Sequence, residues 1–233
     1  MLEGLRKDNP DILSRDFDAV LLKTSLVHSA SQGENSRIYD ILKNRTNRSR
    51  FKRYRSRYLG YGTVEIERVL ECTQTRVTAI GFGNIKDTER HRYQFPLPVG
   101  LSIGSHLRLT VTLAWLSPIN PSQISMRRAK LWFEADGLKV NQGHSRLESD
   151  GQQVRKGTVQ HEIFEMNKNT LPGDTLELFV ECASDAGQLD DEIPYGLAVT
   201  LEVAERESID LYQIVRDRIR QPVKISGTKD SLS

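Results

Sequence analysis

A change of hydrophobic period near Thr75 constrains the fold of this 233-residue chain more than any other feature. From Thr75 to Ala204, apolar residues alternate with polar ones or form short runs, with turn sequences such as Asp136-Gly137 between them. Seven segments share this pattern, namely RVTAIGF, HRYQFPLP, HLRLTVTLAW, RRAKLWFEAD, TVQHEIFEM, TLELFVECA and GLAVTLEVA. Because no helical pattern separates them, residues 76–206 are predicted to form an antiparallel β-sandwich of jelly-roll or related type, which makes the chain mainly β.

Residues 1–75 are predicted to be a helical segment. Apolar positions recur at helical spacing in LSRDFDAVLLKTSLVHSA, which predicts a helix over residues 13–30 with Asp11 or Ser14 as its N-cap. The positions at this spacing are Leu13, Phe17, Val20, Leu21, Thr24 and Val27, and Leu22 and Leu26 widen the stripe around most of the helix circumference. A second short helix, predicted over residues 64–71, is too small to cover the first. We therefore expect the first helix to pack against the sandwich and a second copy of the chain, or against a part of a larger protein.

The C-terminal residues 207–233 predict one more helix and a tail. An apolar stripe at helical spacing consists of Leu211, Ile214, Val215 and Ile219. Ser208 precedes this stripe and is suited to cap the start of the helix. After Pro222 the polar sequence KISGTKDSLS predicts a disordered tail.

Composition excludes several classes of protein. Hydrophobic residues make up 37% and charged residues 27% of the chain, which excludes a chain that is disordered throughout. No run of about eighteen apolar residues occurs, so a membrane-spanning helix is not predicted. The N-terminal sequence MLEGLRKDNPDI lacks the apolar core of a signal peptide, and we therefore expect a cytoplasmic protein. Two cysteines, Cys72 and Cys182, are too few for a disulfide scaffold or a four-ligand zinc site.

Motifs for catalysis, cofactors or metals are incomplete. His161-Glu162 begins HEIFE, but Glu165 replaces the second histidine of the zinc motif H-E-x-x-H. Gly81-Phe82-Gly83 lacks the third glycine and the helix of a dinucleotide-binding loop, so it is interpreted as a strand end and turn. The acidic loop SDAGQLDDEIP offers calcium ligands, but its spacing favours a solvated hairpin tip. The sequence predicts no catalytic, cofactor-binding or metal-binding residue.

Eight basic residues follow one another without an intervening acid, and Phe51, Tyr54 and Tyr58 lie among or beside them. They are Lys43, Arg45, Arg48, Arg50, Lys52, Arg53, Arg55 and Arg57. Basic residues interleaved with aromatic ones are suited to binding single-stranded nucleic acid. The candidate contacts are Arg48, Arg50, Lys52, Arg53 and Arg55. The polar composition and the lack of a period favour the alternative, a solvated and mobile insertion over residues 31–57.

Two short segments resemble the C-terminal end of the catalytic domain of subtilisin-like serine proteases (subtilases). The predicted first helix ends LLKTSLVHSA, and YLGYGTVE follows at residues 58–65. In that family a helix ending in alanine precedes a turn of the type G-x-G-x-(V/L/I)-(N/D), in which glycines permit positive φ or close packing. The matching residues are Ala30 at the helix end and Gly60, Gly62 and Val64 in the turn. Glu65 departs from the usual Asn or Asp, and residues 31–57 make the connection longer than is usual.

The β-rich remainder is similar to the sandwich that follows the catalytic domain in a group of large bacterial subtilases. The segments that carry this likeness are YQFPLP, LRLTVTLAWLSPINP, AKLWFEA, RKGTVQHEIFE and IPYGLAVTLEVAE. The resemblance implies that the catalytic Asp, His and Ser belong upstream of Leu13, and none of their three motifs occurs in the chain. We therefore expect the non-catalytic C-terminal portion of an intracellular bacterial subtilase, inactive alone, which supports the catalytic domain or binds substrates or partner proteins.

The resemblance implies one partner, the catalytic portion of a subtilase, on the same or on a separate chain. A homo-oligomer formed through the helix at residues 13–30 is a further expectation. One alternative function is a stand-alone β-sandwich module that binds nucleic acid through residues 43–57. Another is a sandwich that binds carbohydrate or protein, because a sandwich fold hosts many functions.

Overall fold

The computed structural model describes residues 2–8, 13–33, 47–98, 106–136, 156–167, 173–204, 210–219 and 225–227. The N-terminal elements are α1 (Leu2–Asp8), a 3-10 turn (Arg15–Phe17), α2 (Asp18–Ser29), β1 (Ala30–Ser31), α3 (Arg48–Leu59), β2 (Thr63–Val64) and α4 (Glu67–Leu70). Seven strands follow, namely β3 (Arg76–Ile85), β4 (Arg90–Pro96), β5 (His106–Trp115), β6 (Ala129–Ala135), β7 (Val159–Asn167), β8 (Thr175–Ser184) and β9 (Ile193–Val203). The last elements are α5 (Leu211–Arg218) and β10 (Ile225–Gly227).

Two antiparallel sheets form a sandwich. One sheet has the strand order β3-β9-β5-β7, and the other has the order β10-β4-β8-β6. From β3 to β9, each strand lies in the opposite sheet from the strand that precedes it, which is a jelly-roll-like arrangement. All seven strand segments predicted from the period of two are present, and the predicted mainly β fold is confirmed.

The hydrophobic core lies between the two sheets. On β5 the inward positions are Leu107, Leu109, Val111, Leu113 and Trp115, all of which are buried. They pack against inward residues of the other strands, including Phe133, Leu178 and Tyr195. Because successive side chains of a strand point to opposite faces, this alternation fixes which face of each strand lines the core.

Two glycines in β3 make room for tyrosine rings in the core. A Cβ added at Gly81 would lie 2.8 Å from Tyr93 Cε1, and one added at Gly83 would lie 3.4 Å from the Tyr195 hydroxyl oxygen. That hydroxyl lies 2.5 Å from the Tyr93 hydroxyl and 2.6 Å from His91 Nδ1, so the buried phenols are hydrogen-bonded. The interpretation of Gly81-Phe82-Gly83 as a strand end and turn is therefore wrong, because the glycines lie within a strand and serve its packing.

The helical predictions need two corrections of extent and one of a cap. The helix predicted over residues 13–30 begins at Asp18, after a 3-10 turn in which Ser14 Oγ accepts a hydrogen bond from the Asp16 amide. The helix predicted over residues 64–71 is shorter, because Thr63–Val64 pairs with Ala30–Ser31 as a strand. The C-terminal helix is capped by Asp210, whose side chain accepts from the Gln213 amide, and Ser208 lies outside the described residues.

Two regions predicted to be irregular contain regular structure. Residues 48–59 form α3 rather than a mobile insertion, because the Asn47 side chain caps the Arg50 amide and Phe51 turns inward with 2% exposure. The prediction of a disordered tail is wrong for Ile225–Gly227, which pairs with β4. Residues 34–46 and the other tail residues lie outside the described part of the chain. None of the described helices is long and apolar enough to cross a bilayer.

Candidate functional site

Helix α2 lies across the outer face of the β3-β9-β5-β7 sheet, mainly over β5 and β9. The strand residues beneath it are small, namely Thr110, Thr112 and Ala114 on β5 and Gly196, Ala198 and Thr200 on β9. The helix approaches the sheet closely at Gly196, where an added Cβ would lie 2.5 Å from Thr24 Oγ1. The small side chains therefore let the helix backbone approach the strands.

Much of the buried face of α2 is polar, and hydrogen bonds attach it to the sheet. His28 Nδ1 lies 2.7 Å from Thr112 Oγ1, and His28 Nε2 lies 2.7 Å from Thr200 Oγ1. Thr200 Oγ1 continues to Thr78 Oγ1 at 2.6 Å, and Thr112 Oγ1 continues to His161 Nδ1 at 2.6 Å. These contacts form one network, the His28 network, which crosses all four strands of the sheet.

Burial keeps the His28 imidazole neutral. Desolvation and, as the smaller cause, the positive charge of Arg68 together lower the pKa of His28 to about 3. A neutral imidazole donates a hydrogen bond from one nitrogen and accepts one at the other, which two hydroxyl groups can match. Thr112 and Thr200 are buried beneath the helix, so their hydroxyls are closed to a substrate. The His28 network therefore holds the helix on the sheet and is not arranged for catalysis.

The opposite face of α2 is apolar and exposed. Leu22 and Leu26, one helical turn apart, are 43% and 45% exposed, and Ala19 is exposed on the same face. We call these three residues the α2 outer face. Of the other apolar positions in the predicted helix, Leu21 is buried, and the Phe17 ring packs against Phe82 in a tilted arrangement with ring centroids 4.8 Å apart. The expected contact of the helix with the sandwich is present, and Leu22 and Leu26 lie outside it.

The four residues of the subtilase-like motif come together at the end of α2. Ala30 pairs with Val64 in the β1–β2 ladder. Gly60 and Gly62 have φ values of 58° and 104°, which favour glycine. A Cβ at Gly62 would lie 2.1 Å from the Ser31 carbonyl oxygen, so the two chain segments are in direct contact. The expectation of positive φ is confirmed at both glycines, and close packing is present at Gly62.

The candidate nucleic-acid contacts all lie on α3, and those whose side chains are described separate into an exposed and a buried group. Arg50 and Arg53 are exposed, together with Arg57, Tyr54 and Tyr58. Arg55 is buried, so it does not belong to this exposed face. Arg48 and Lys52 belong to the helix, and their side chains lie outside the described part of the structure.

The remaining candidate motifs have structural surroundings. Asp185 in the acidic loop pairs with Arg127 at 2.6 Å, and Asp190 and Asp191 lie within 4.0 Å of Arg128. Within the described residues, no group of three or more His, Cys, Asp or Glu side chains is arranged to hold a metal ion. Burial raises the pKa of the Cys182 thiol to about 12, which makes it a poor nucleophile.

Comparisons with known proteins do not identify a family for this chain. No protein-family model matches the chain. No curated protein matches it. A crystal structure described as the Israel acute paralysis virus pentamer is 12% identical, with 57% of this chain and 89% of that chain covered and a TM-score of 0.23. This score is too low to indicate a common fold, so function rests on the residues described above.

Proposed function

We propose that the chain is the non-catalytic C-terminal portion of an intracellular bacterial subtilisin-like serine protease. Its sandwich supports the catalytic part or positions substrates and partner proteins. The observation that carries this proposal is the α2 outer face, an exposed apolar helix surface attached to a folded sandwich. The Gly60–Gly62 turn that follows the helix adds support, because its geometry requires the glycines that the family motif contains.

The two faces of α2 suit a helix shared between two folded bodies. The His28 network fixes the helix to the sandwich through directional hydrogen bonds. Leu22 and Leu26 on the other face are aliphatic and 43% and 45% exposed, so burying the exposed part of each would stabilise a complex by about 1 kcal/mol. A surface of this kind is typical of an interface. On the basis of the subtilase resemblance, the catalytic part is the partner that binds it.

Fluorophosphonate labelling tests the proposed relation to a protease. The native species that contains this chain is isolated from its source cells with an antibody against the sandwich, and recombinant 1–233 is treated in parallel. We expect the native species to label on one serine of a catalytic part, and the recombinant chain to remain unlabelled and inactive on casein. A native species that has the mass of this chain alone and does not label would contradict the proposal, as would labelling of the recombinant chain.

A second experiment tests the α2 outer face as the docking surface. The catalytic part identified above is co-expressed as a separate polypeptide with the chain, and co-purification is measured. The double variant Leu22→Ser/Leu26→Ser should lose most of the complex. The control Ile119→Ser/Ile124→Ser changes two exposed apolar residues of the β5–β6 loop and should retain it. Equal retention by both variants would show that the catalytic part docks elsewhere.

Light scattering on the isolated chain tests the homo-oligomer expected through the same helix. If the α2 outer face joins two copies, the mass should be that of a dimer and should fall to that of a monomer in Leu22→Ser/Leu26→Ser. A monomeric wild-type chain at high concentration would exclude this form of self-association.

A further inference from the structure

We propose that the outer face of α3 binds single-stranded nucleic acid. The face consists of Arg50, Arg53, Tyr54, Arg57 and Tyr58. These positions follow the spacing i, i+3, i+4, i+7 and i+8, which places them on one side of an α-helix. The Asn47 cap and the buried Phe51 fix the start and the inward face of the helix. This inference concerns a surface distinct from the α2 outer face and does not depend on the proposed function.

Among the described residues, no carboxylate balances the positive charge of this face. No Asp or Glu occurs between Asp40 and Glu65 in the sequence. None of the described carboxylates lies within ion-pair distance of Arg50, Arg53 or Arg57. Arginines of the sandwich differ, since Arg92 pairs with Glu177 and Arg127 pairs with Asp185. Arg50, Arg53 and Arg57 are therefore available to a polyanion, and guanidinium groups match phosphate geometry.

Two tyrosines on the same face favour single-stranded nucleic acid among polyanions. Tyr54 is 41% exposed and Tyr58 is 73% exposed, so both rings present surface to solvent. Bases of a single strand stack on such rings, whereas the bases of a duplex are already stacked on one another. Arg50 and Arg57 are seven residues apart, which corresponds to about 10 Å along the helix, the length of about three stacked nucleotides.

The inward face of α3 argues against a lipid surface as the ligand. An interfacial helix inserts its apolar face into the lipid headgroups. In α3 the apolar residue Phe51 is 2% exposed and packs inside the protein. The face left to solvent contains arginines and tyrosines, which are suited to phosphates and bases.

The test measures fluorescence anisotropy of labelled oligouridine and oligothymidine with the full chain. Three arginine contacts to a single strand predict a slope of about −2 for log K against log[salt], or about 20-fold weaker binding at 200 mM than at 50 mM salt. Arg53→Gln/Arg57→Gln should reduce the slope by about 1.4 in magnitude. The matched control Arg15→Gln/Arg216→Gln removes two other exposed arginines and should leave binding unchanged. Circular dichroism verifies that each variant is folded.

The tyrosines give a separate readout. Tyr58→Leu keeps the charge and should weaken binding about tenfold at every salt concentration, with the slope unchanged. A duplex of the same length should bind more weakly than the single strand. The proposal is overturned if binding does not depend on salt, if the control variant loses as much affinity as Arg53→Gln/Arg57→Gln, or if Tyr58→Leu has no effect. Tighter binding to phosphatidylserine vesicles than to oligonucleotide, through the same residues, would also overturn it.

Discussion

The two faces of the β3-β9-β5-β7 sheet are buried by different physical means. The inner face contributes aliphatic and aromatic side chains such as Leu109, Leu113 and Trp115 to the sandwich core. The outer face contributes Thr112 and Thr200, which hydrogen-bond to His28 of α2. Hydrophobic packing is non-directional, whereas hydrogen bonds hold two elements in one relative position. Packing on the inner face therefore stabilises the sheet, and hydrogen bonds on the outer face fix the position of α2.

The hydrogen bonds on the outer face of the sheet explain why α2 exposes apolar side chains to solvent. A helix held only by aliphatic contacts would need its own apolar residues to face the sheet. In α2, Thr24, Ser25 and His28 supply part of the buried face, and Leu22 and Leu26 are left for solvent. Because polar side chains of α2 bind the sheet, apolar side chains remain on the side of the helix that faces solvent.

The largest loss of stability is expected from a substitution on the inner face of the sheet. Leu109→Ala removes three carbon atoms from a fully buried core position and leaves a cavity, which should lower the free energy of unfolding by about 3 kcal/mol. Urea denaturation at pH 7 measures this loss. Leu22→Ala is the matched control at a 43% exposed position and should change the free energy of unfolding by less than about 1 kcal/mol. Similar losses in the two variants would mean that the sandwich core is loosely packed at β5.

A smaller loss of stability, which arises where His28 contacts the outer face of the sheet, should appear on acidification. Burial lowers the pKa of His28 to about 3, from 6.5 when it is exposed in the unfolded chain. Since the unfolded state then binds the proton more readily, the contribution of His28 to stability is complete above pH 6.5 and is lost as the pH falls towards 3. At pH 5 the free energy of unfolding should be lower by about 2 kcal/mol from this residue.

Urea denaturation at pH 7 and pH 5 checks this dependence. His28→Gln keeps a polar side chain but removes the titrating group, so its free energy of unfolding should change less between the two pH values than that of the wild type. An identical pH dependence in His28→Gln would assign the acid sensitivity to other titrating groups.

The core residues on the inner face of the sheet could be predicted from sequence, but the contacts on its outer face could not. Alternation in HLRLTVTLAW identifies Leu107, Leu109 and Leu113 as core residues because large apolar side chains occupy every second position. The intervening Thr110, Thr112 and Ala114 are equally compatible with an open solvent face. Their small size and lack of charge were a signal that an element covers them, but the partner His28 is 84 residues from Thr112. Contacts at that separation do not follow from a local pattern.

Helix α3 was missed for a different reason. Arginine, serine and asparagine dominate residues 44–57, and such a composition is typical of solvated loops. The helical signal was present in Asn47 as a cap and in the spacing of Phe51 and Arg55, both of which are buried. A buried arginine cannot be recognised from sequence, because arginine is usually exposed. For the turn at Gly60 and Gly62, the prediction of positive φ was right. Glycine spacing alone was not sufficient, because Gly81 and Gly83 have the same spacing and lie within a strand.

The smallest effect tests the fit between α2 and the outer face at Gly196. Gly196→Ala would place a Cβ 2.5 Å from Thr24 Oγ1 and 3.4 Å from the Val20 carbonyl oxygen, so the side chain of Thr24 or the helix must shift. The expected net loss in the free energy of unfolding is about 1 kcal/mol, since alanine also restricts the unfolded chain more than glycine does. Thr24→Ala removes the opposing hydroxyl, whose hydrogen bond runs only to Val20 within the same helix. Gly196→Ala/Thr24→Ala should therefore be more stable than the sum of the two single changes predicts, because the new methyl group fills the space that Thr24 vacates. Urea denaturation of the four proteins gives this coupling, and strictly additive losses would mean that the helix does not lie against the sheet at this point.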